Sequence, residues 1–421
     1  MNKYSIGKFS LDCLAHEYGT PLYVMNGNAI IKRANAFNKA KQWQNLEVIF
    51  AYANKAFCSL ATTKLLNKQG FYFDVVSSGE IAVILEAGVE PSKIIFHGNN
   101  KTEQEIKYAL EKKIGYFVVD NYSEYARINK FAKTKQNIIV RINPCIRAET
   151  HSAVQTANWD SKFGFTMSQE TLDVISEIAK NNNFEGIHIH IGSQIFGVKS
   201  YLEAINKIIP FIKQIINEGI NINILDLGGG FGIRYTENDP NIDDETILNN
   251  LSEILEYLNK SLTKEKIKVK TVIFEPGRSL VANAGCTVYK VGDIKKYGDK
   301  KTYIVVDGGM YESPRFALYG SKYTVSAVNN YSDKKTNKVT IVGKCCESGD
   351  IIAEDVMIQN VEIGDYIVVE STGAYNFSMA SNYNNNLVQP VVLVIDDKKE
   401  IIVKGQNIND LISRNVVPEW L

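Results

Sequence analysis

Apolar and polar positions follow two alternating patterns along the first two thirds of the chain. Short, almost wholly apolar runs predict strands, and the segments between them repeat their apolar positions at helical spacing. One helix opens with a capping box at Thr102 and Glu105, and Gly88 is a suitable C-cap for the helix before it. Strands are predicted near 46–52, 71–76, 94–97, 116–119, 138–142, 187–191, 223–227 and 271–275. Helices are predicted near 28–43, 56–69, 79–87, 103–112, 124–133, 169–180, 199–217 and 245–260.

Eight strands separated by helices within about 250 residues predict an α/β fold, a closed (β/α)8 barrel of the TIM type. Several of these strands are apolar along nearly their whole length, as a sheet buried on both faces requires. A doubly wound open sheet is the alternative that the same pattern leaves open.

The pattern changes after residue 280, where short runs rich in β-branched residues are separated by Gly, Asp and Asn. These runs lie at 286–294, 302–307, 338–343, 365–370, 388–395 and 400–404. They predict a C-terminal antiparallel β-barrel or sandwich domain. We therefore assign 26–280 to the barrel, and 1–25 with 281–421 to the β domain, although 1–25 could instead cap the barrel.

Composition narrows the class of function. The 421 residues include 47 basic and 47 acidic side chains, so a nucleic-acid partner bound through a general basic field is not expected. No apolar run is long enough for a transmembrane helix, and the N-terminus lacks the apolar segment of a secretory signal. The six cysteines form no Cys-x-x-Cys pair. We expect free thiols and a cytoplasmic protein without membrane partners.

Catalytic groups of such barrels lie at the carboxyl ends of the strands. Lys55 follows the first predicted strand as a lone charge among small and apolar residues. A lysine in that setting is a candidate nucleophile or Schiff-base former. The alternative is a lysine that only extends its amine to solvent at the barrel mouth.

The sixth predicted strand ends with His188 and His190, which alternation places on one face of the strand. Two histidines this close indicate a metal site, with a third ligand from His97 or His151, although no further ligand spacing completes a zinc pattern. Core histidines are the alternative. Ser193, which follows Gly192, would suit an anion.

The last two strands lead into Asp226–Gly232 and Glu275–Arg278. A glycine-rich turn lets backbone amides approach a phosphate, although glycine clusters are often only turns. Glu275 and Arg278 could hold one ligand at two points, or form a local salt bridge. Lysine, histidine, glycine turn, acid and arginine together at one barrel mouth are the groups that pyridoxal phosphate requires.

With these motifs, the sequence resembles the barrel-fold, alanine-racemase-like pyridoxal-phosphate amino-acid decarboxylases, most closely the diaminopimelate decarboxylases. The resemblance covers about residues 19–393. The motifs shared with ornithine and arginine decarboxylases are AYANKA (51–56), FDVVSSGE (73–80), DSKFG (160–164), HIHIGSQ (188–194), DLGGGFG (226–232) and EPGR (275–278). The C-terminal motifs are RFALYG (315–320), CCESGD (345–350) and GAYNFSMASNYN (373–384), of which the last two point to diaminopimelate.

The resemblance implies pyridoxal 5′-phosphate as the cofactor. Lys55 would carry it as a Schiff base, His190 would stack on its ring, and Glu275 would pair with its pyridine nitrogen. Further cofactor contacts would come from Asp74, Ser193, Gly228, Gly229, Gly230, Gly277, Arg278 and Tyr375.

The implied reaction is decarboxylation of meso-2,6-diaminopimelate to L-lysine and CO2, the last step of lysine biosynthesis. Cys346 would be the proton donor, and Glu347 would bind the substrate amine. The other substrate contacts would come from Arg278, Arg315, Tyr319 and Tyr375. In this family the site forms between two chains, so a homodimer is expected, with Cys346 and Glu347 supplied by the second chain.

Some positions depart from the family pattern. Asn54 precedes Lys55 where a small or apolar residue is usual, and Phe316 replaces a proline. The segments 155–158 and 385–390 lack the usual Thr-Gly and Arg-Pro pairs. They motivate an alternative, a related decarboxylase acting on another amino acid or a carboxylated polyamine precursor. The sequence also leaves room for a homologue that binds cofactor without turnover, and for a metal hydrolase that uses the histidine pair.

Overall fold

The structure is a computed structural model and describes residues 3–146 and 161–421. The chain divides into two compact units. The barrel unit comprises Ile31–Ile233 and Asn241–Ser279. The β unit comprises the residues up to Ile30, together with Arg234–Pro240 and Leu280–Leu421.

Strands and helices are numbered in chain order over the described residues. The strands are β1 (Ser5–Ile6), β2 (Phe9–Ser10), β3 (Leu22–Asn26), β4 (Gln42–Trp43), β5 (Leu46–Ala53), β6 (Tyr72–Val75), β7 (Ile94–Phe96), β8 (Tyr116–Val119), β9 (Asn137–Arg141), β10 (Asn183–His188), β11 (Ile224–Asp226), β12 (Thr271–Phe274), β13 (Gly285–Tyr297), β14 (Lys301–Val306), β15 (Val325–Ala327), β16 (Asn337–Val342), β17 (Ile351–Ile358), β18 (Tyr366–Glu370), β19 (Val391–Ile395) and β20 (Lys398–Val403). The helices are α1 (Leu11–Tyr18), α2 (Gly27–Asn38), α3 (Leu60–Lys68), α4 (Ser78–Glu86), α5 (Glu103–Lys112), α6 (Tyr122–Phe131), α7 (Gln169–Asn181), α8 (Lys199–Asn217), α9 (Asp244–Lys264), α10 (Arg278–Val281), α11 (Arg315–Tyr319) and α12 (Ile408–Ile412).

The predicted (β/α)8 barrel is confirmed. Strands β5 to β12 pair in chain order, each parallel to its neighbour, and β12 pairs with β5 to close the ring. This closure excludes the open doubly wound sheet, which would leave two strand edges unpaired. The short strand β4 adds to β5 in antiparallel orientation.

Apolar side chains from alternating positions fill the inside of the barrel. Ile49, Ile95, Val118, Ile139 and Ile273 form one buried cluster with their neighbours. Because the helices cover the outer face, the strands are buried on both sides, which explains their near-continuous apolar runs. The carboxyl ends of these strands therefore converge on one rim of a rigid ring.

Local capping sets the helix boundaries that the sequence predicts. Thr102 and Glu105 form the expected capping box at the start of α5. Gly88 follows the C-cap of α4 with φ of +81°. Serines at positions 59, 77 and 168 accept a backbone N–H at the starts of α3, α4 and α7. Helices α4 and α6 begin three residues after the ends of β6 and β8, whereas α9 begins at Asp244, well after β11 ends at Asp226.

The β unit contains a mixed sheet. Most neighbouring strands are antiparallel, as predicted, but β14 pairs in parallel with β16 and β3 in parallel with β19. These two pairs are joined by long connections, which parallel pairing requires, whereas hairpins join antiparallel strands. Strand β3 lies between β13 and β19, so the N-terminal segment contributes to this sheet.

None of the described helices is both long and apolar enough to cross a membrane.

Candidate active site

Lys55 lies at the carboxyl end of β5 beside the buried Asp74. The register of the barrel pairs Ala53 of β5 with Asp74 of β6, and Lys55 follows in a short 3-10 turn. Its Nζ lies 3.5 Å from Oδ2 of Asp74. The lysine side chain is 42% exposed and the aspartate side chain only 2%. The amine is therefore held by a buried carboxylate and remains accessible from the barrel mouth.

Asn54 has a structural reason to depart from the family pattern. It is fully buried, and its Nδ2 donates to the backbone oxygens of Tyr52 and Asp74, each at 3.3 Å. These contacts connect the ends of the two strands next to Lys55. The amide thus supports the turn that carries the lysine.

Glu275 lies between two buried histidines. It follows β12, and its Oε2 lies in a 3.3 Å hydrogen bond with Nε2 of His188. Its Oε1 lies 2.7 Å from Nε2 of His97, which follows β7. This second contact is close but poorly aligned. Among the described residues, Oε1 of Glu275 therefore has no hydrogen-bond partner despite its burial.

Burial makes the His188 imidazole a weak base. It lowers the pKa of His188 to about 3, although the contact with Glu275 acts in the opposite direction. Burial alone would raise the pKa of Glu275, but the contacts with His97 and His188 hold it well below its usual range. His188 is thus neutral near pH 7, and Glu275 is ionised.

Asp226 shows the opposite shift from Glu275. It ends β11, the strand next to β12, and is almost completely buried. Burial, and then repulsion from Glu275, raise the pKa of Asp226 well above its usual range. Two carboxyl groups in one buried site favour a single negative charge, and here that charge resides on Glu275.

The histidines lie differently from the prediction. Strand β10 runs from Asn183 to His188, so His190 lies beyond the strand and the two residues do not share a strand face. His188 contacts Glu275, whereas Nδ1 of His190 accepts from the Gly229 amide at 3.3 Å. The pKa of His190 is well below its usual range because of burial and the nearby Lys55 charge. The proton of this neutral ring is therefore assigned to Nε2.

The glycine-rich turn after β11 leaves no room for side chains. A Cβ on Gly229 would lie 2.1 Å from the Glu275 backbone oxygen. Gly228 and Gly230 have φ of +67° and +109°, in the left-handed region that favours glycine. The amides of Gly228 and Gly229 donate to Asp226 and His190, so two of the three predicted phosphate donors already have protein acceptors.

Ser193 and Arg278 meet at the same rim of the barrel unit. Arg278 begins α10, is 7% exposed, and donates from a terminal guanidinium nitrogen to Oγ of Ser193 at 3.0 Å. Gly277 precedes it, and a Cβ there would lie 2.9 Å from the Cβ of Ala53. A hydroxyl and a guanidinium in contact provide donors suited to an anion.

In the β unit, Arg315 is buried between two tyrosines. It begins α11, and one of its terminal nitrogens donates to the hydroxyls of Tyr235 at 3.0 Å and Tyr323 at 2.8 Å. Burial raises the pKa of Tyr323 to about 12, so its hydroxyl is neutral at pH 7. Tyr319 ends the same helix and is half-buried.

Cys346 and Glu347 lie on an exposed loop of the β unit between β16 and β17. The Cys346 amide donates to Oδ1 of Asn384 at 3.1 Å, and the Glu347 amide donates to the Cys345 backbone oxygen at 2.8 Å. Tyr375, elsewhere in this unit, is half-buried with φ of +63°. Such a conformation is uncommon for a residue other than glycine.

Sequence reasoning brought together most of the polar side chains of the barrel rim but missed the contact between His97 and Glu275. His97 follows an apolar strand, which is the same signal that singled out Lys55. His151, Asp160 and the segment 155–158 lie outside the described residues.

His97, His188 and Glu275 are the side chains that could form a metal site here. Among the described residues, these three bring their potential ligand atoms within 4.8 Å of one another. However, Nε2 of His97 and Oε1 of Glu275 are only 2.7 Å apart. Two ligands of one tetrahedral zinc ion would be about 3.3 Å apart, given bonds of about 2.0 Å. The distance between His97 and Glu275 is therefore that of a direct contact and is too short for two ligands of one zinc ion.

Comparisons with known proteins all point to one family of decarboxylases. A model described as "Pyridoxal-dependent decarboxylase, pyridoxal binding domain" matches residues 28–282. The chain is 39% identical to diaminopimelate decarboxylase of Staphylococcus aureus (strain COL), over 96% of this chain and 95% of that protein. It is 38% identical to diaminopimelate decarboxylase of Bacillus subtilis (strain 168), over 95% and 92%.

Solved structures lead to the same family. The diaminopimelate decarboxylase from M. jannaschii in complex with L-lysine aligns with a TM-score of 0.90 and 33% identity, over 100% of this chain and 98% of that one. The enzyme from Helicobacter pylori complexed with L-lysine aligns with a TM-score of 0.86 and 31% identity, over 96% and 98%.

Proposed function

The chain belongs to the pyridoxal-dependent decarboxylases, and we propose that it decarboxylates meso-2,6-diaminopimelate to L-lysine and CO2 with pyridoxal 5′-phosphate as its cofactor. This is the last step of lysine biosynthesis. Relatives of that name align over nearly their full length, and two solved neighbours hold L-lysine. The observation that carries the cofactor assignment is Glu275, a buried carboxylate whose pKa is held well below its usual range, in the same barrel unit as the accessible amine of Lys55.

The barrel unit has the groups that this cofactor needs. Lys55 offers an accessible amine for the covalent link, and Asp74 supports it. Glu275 would accept a hydrogen bond from a protonated pyridine nitrogen. Ser193 and Arg278 would bind the phosphate, with Gly230 as the remaining turn residue whose amide could approach it.

When bound, the cofactor supplies an electron sink for the charge left on the α-carbon as CO2 departs. Glu275 would keep that sink effective, because an ionised carboxylate beside the ring nitrogen would favour its protonated form. His190, kept neutral by burial, adds a flat face without adding a positive charge. Asp226 retains its own proton, and a second negative charge in the same buried site is thus avoided.

The β unit would supply the substrate contacts and the proton. Arg315 presents a guanidinium that the hydroxyls of two tyrosines orient, which suits the distal carboxylate of the substrate. Tyr319 and Tyr375 would complete that contact, and Glu347 would bind the distal amine. The thiol of Cys346 would deliver a proton to the α-carbon, with its backbone held by Asn384.

We place the protein in the cytoplasm. All six cysteines, which are part of the described residues, have free thiols. Proteins of oxidising compartments generally pair their cysteines. Fractionation of the cells that make this protein would test the assignment.

The reaction is tested by CO2 release from the purified protein with meso-diaminopimelate, with and without added pyridoxal phosphate. We expect release that depends on the cofactor, together with L-lysine. Equal or faster turnover of ornithine, arginine or carboxynorspermidine would favour the related decarboxylase instead. Cofactor binding without CO2 from any of these substrates would favour a homologue without turnover.

The proton donor is tested by Cys346→Ala, with Cys345→Ala as the matched control. We expect Cys346→Ala to bind the cofactor and lose about 100-fold or more in turnover. Cys345 is half-buried, and burial, with Asp350 nearby, raises the pKa of its thiol to about 11. Cys345→Ala should therefore turn over close to the wild-type rate. Wild-type turnover in Cys346→Ala would assign the proton to another group.

We further propose a homodimer in which Cys346 and Glu347 of one copy serve Lys55 of the other. Lys55→Ala and Cys346→Ala proteins, each inactive alone, are mixed, dissociated and reassociated. Random pairing makes half of the dimers mixed, and each mixed dimer has one intact site, so about a quarter of the wild-type activity should return. No recovery, with dimer re-formation shown by light scattering, would mean that each chain uses its own Cys346.

A further inference from the structure

The loop that carries Cys346 and Glu347 is closed on itself. The Gly343 amide donates to the Asp350 backbone oxygen at 3.0 Å, and the Asp350 amide donates to the Glu347 backbone oxygen at 3.1 Å. Strand β16 ends before Gly343, and β17 begins after Asp350. The loop 343–350 is thus a compact excursion between two neighbouring strands, with Cys346 at its centre.

The side chain of Asp350 connects this loop to a second segment. Its Oδ2 accepts from the Cys345 amide at 2.7 Å, and its Oδ1 accepts from the Met310 amide at 2.6 Å. The residue is 3% exposed. The two oxygens of one buried carboxylate therefore hold two separate stretches of backbone, one of which is adjacent to Cys346.

Two glycines make room for that carboxylate. A Cβ on Gly343 would lie 2.3 Å from Oδ2 of Asp350, and a Cβ on Gly309 would lie 2.7 Å from the same atom. Neither distance is compatible with a side chain at those positions. The Lys344 amide also donates to the Gly308 backbone oxygen at 2.9 Å. A direct backbone hydrogen bond therefore joins the loop to the second segment, in addition to the contacts of the carboxylate.

The second segment leads directly to Arg315. The Ser313 amide donates to the Gly309 backbone oxygen at 3.0 Å, and α11 begins two residues later with Arg315. Oγ of Ser313 accepts from Asn376 at 3.1 Å. Asp350 is consequently the shared anchor of the loop with Cys346 and the segment that precedes Arg315.

We propose that Asp350 is a positioning residue that sets Cys346 relative to the Arg315 segment. The proposal rests on the proposed role of Cys346 as proton donor. Because proton transfer requires close approach and alignment, a displacement of about 1 Å at the thiol can cost about 100-fold in rate. Asp350 itself is buried and would act only through the two backbone amides that it holds.

Asp350→Asn tests the proposal, because it keeps the shape but replaces one acceptor oxygen with a donor that opposes an N–H group. Asp365→Asn is the matched control. Asp365 also accepts a backbone amide, that of Glu362 at 2.8 Å, in a turn of the same unit. Two measurements are made on both variants: amide hydrogen exchange of the cofactor-free protein, and kcat per bound cofactor, counted by its absorbance.

We expect Asp350→Asn to accelerate exchange in peptides with the Cys345 and Met310 amides by about tenfold or more. We expect kcat per bound cofactor to fall by about tenfold or more, with unchanged cofactor absorbance. Asp365→Asn should change neither quantity. A role in folding alone would lower the amount of folded protein but not the rate per loaded site.

Wild-type exchange at both amides, or a wild-type kcat per loaded site, would overturn the positioning role. If Asp350→Asn does not fold, Gly309→Ala gives the same decision, because the atoms nearest to its methyl group would be those of the Asp350 carboxylate, the closest at 2.7 Å. The exchange measurement needs no substrate. Failure of the positioning role is therefore distinguishable from failure of the proposed function, which Cys346→Ala tests separately.

Discussion

His188 ends β10 and Glu275 follows β12, two strands separated by β11, and the Nε2 and Oε2 atoms of their side chains lie 3.3 Å apart. His188 is neutral and Glu275 ionised near pH 7, so the imidazole N–H donates to the carboxylate. Hydrogen bonds to charged groups contribute about 1.5–3 kcal/mol. This contact therefore helps to keep Glu275 ionised in a site where burial alone would protonate it.

His188→Leu should remove that donor, and we expect kcat to fall by roughly ten- to 100-fold. The pKa of Glu275 should rise, so the absorbance of the bound cofactor should depend more strongly on pH than in the wild type. His188→Gln retains an N–H donor and should recover part of the rate. An unchanged rate and spectrum in His188→Leu would show that the contact with His97 is enough to keep Glu275 ionised.

Lys55→Ala should abolish the absorbance of the lysine-bound cofactor and the turnover, because we propose that this amine forms the covalent link. Lys55→Arg is the matched control for charge. A guanidinium keeps the positive charge beside Asp74 but cannot act as the nucleophile, so this variant should also lack the band. A retained band in either variant, measured by absorbance after removal of free cofactor, would contradict the assignment of Lys55.

The barrel was largely predictable, because strands that are buried on both faces of a sheet can be recognised in the sequence. Each predicted barrel strand overlaps the observed one, since strands of a parallel barrel are nearly continuous apolar runs. Strand β17 was missed, because Glu354 and Asp355 interrupt its apolar pattern and Asp355 adopts φ of +53°. Strand β10 was placed too late, because the alternation of histidine and isoleucine continues past its end at His188.

The site was predictable only where its residues follow their own strands. Lys55, Gly228 and Glu275 were singled out from that position, and the structure places each of them just beyond its strand. The contact of His97 with Glu275 joins two strands that are about 180 residues apart and not neighbours in the barrel, so no local spacing encodes it. The role proposed for Asp350 likewise depends on a backbone amide 40 residues away. Such contacts follow from chain closure and not from a motif.

Arg315→Ala should raise KM for meso-diaminopimelate by about tenfold or more and leave the cofactor absorbance unchanged, because the proposed charge-assisted contact with the substrate carboxylate would be lost. Arg315→Lys should recover little, since an ammonium cannot reproduce the planar fork that Tyr235 and Tyr323 orient. Steady-state kinetics of both variants and the wild type give the KM values to compare. A wild-type KM in Arg315→Ala would exclude a contact between this residue and the substrate carboxylate.

The barrel contains a fully buried ion pair whose loss should be costly. Nζ of Lys101 lies 2.7 Å from Oε1 of Glu124, with side-chain exposures of 1% and 0%, and also donates to the Val118 backbone oxygen at 2.8 Å. Lys101→Met leaves Glu124 without its cation. We expect the free energy of unfolding to fall by about 3–5 kcal/mol.

Lys107→Met is the control for this measurement. Its pair with Glu103 is exposed and spans 3.8 Å, so its removal should cost less than about 1 kcal/mol. Urea unfolding of both variants, followed by fluorescence, gives the comparison. Equal losses in the two variants would mean that the burial of Lys101 and Glu124 contributes nothing specific.

Glu312 should make the protein less stable as the pH rises above neutral. It is fully buried and accepts from the Tyr289 hydroxyl and the Gly309 amide at 2.8 and 2.9 Å. Burial raises its pKa from 4.5 to about 8. Between these values the folded state retains a proton that the unfolded state has lost. The stability contributed by this group is thus complete below pH 4.5 and is lost as the pH rises through 8.

Glu312→Gln keeps the shape and removes the titration, so the melting temperature should decline less between about pH 6 and 9 than in the wild type. At about pH 9 the variant should be the more stable protein, because the wild type must either bury a carboxylate charge or unfold. Glu362→Gln, an exposed position of the same unit, is the control and should follow the wild-type pH dependence. Parallel melting curves for Glu312→Gln and the wild type across this range would mean that Glu312 is already ionised in the folded protein at the lower end of it.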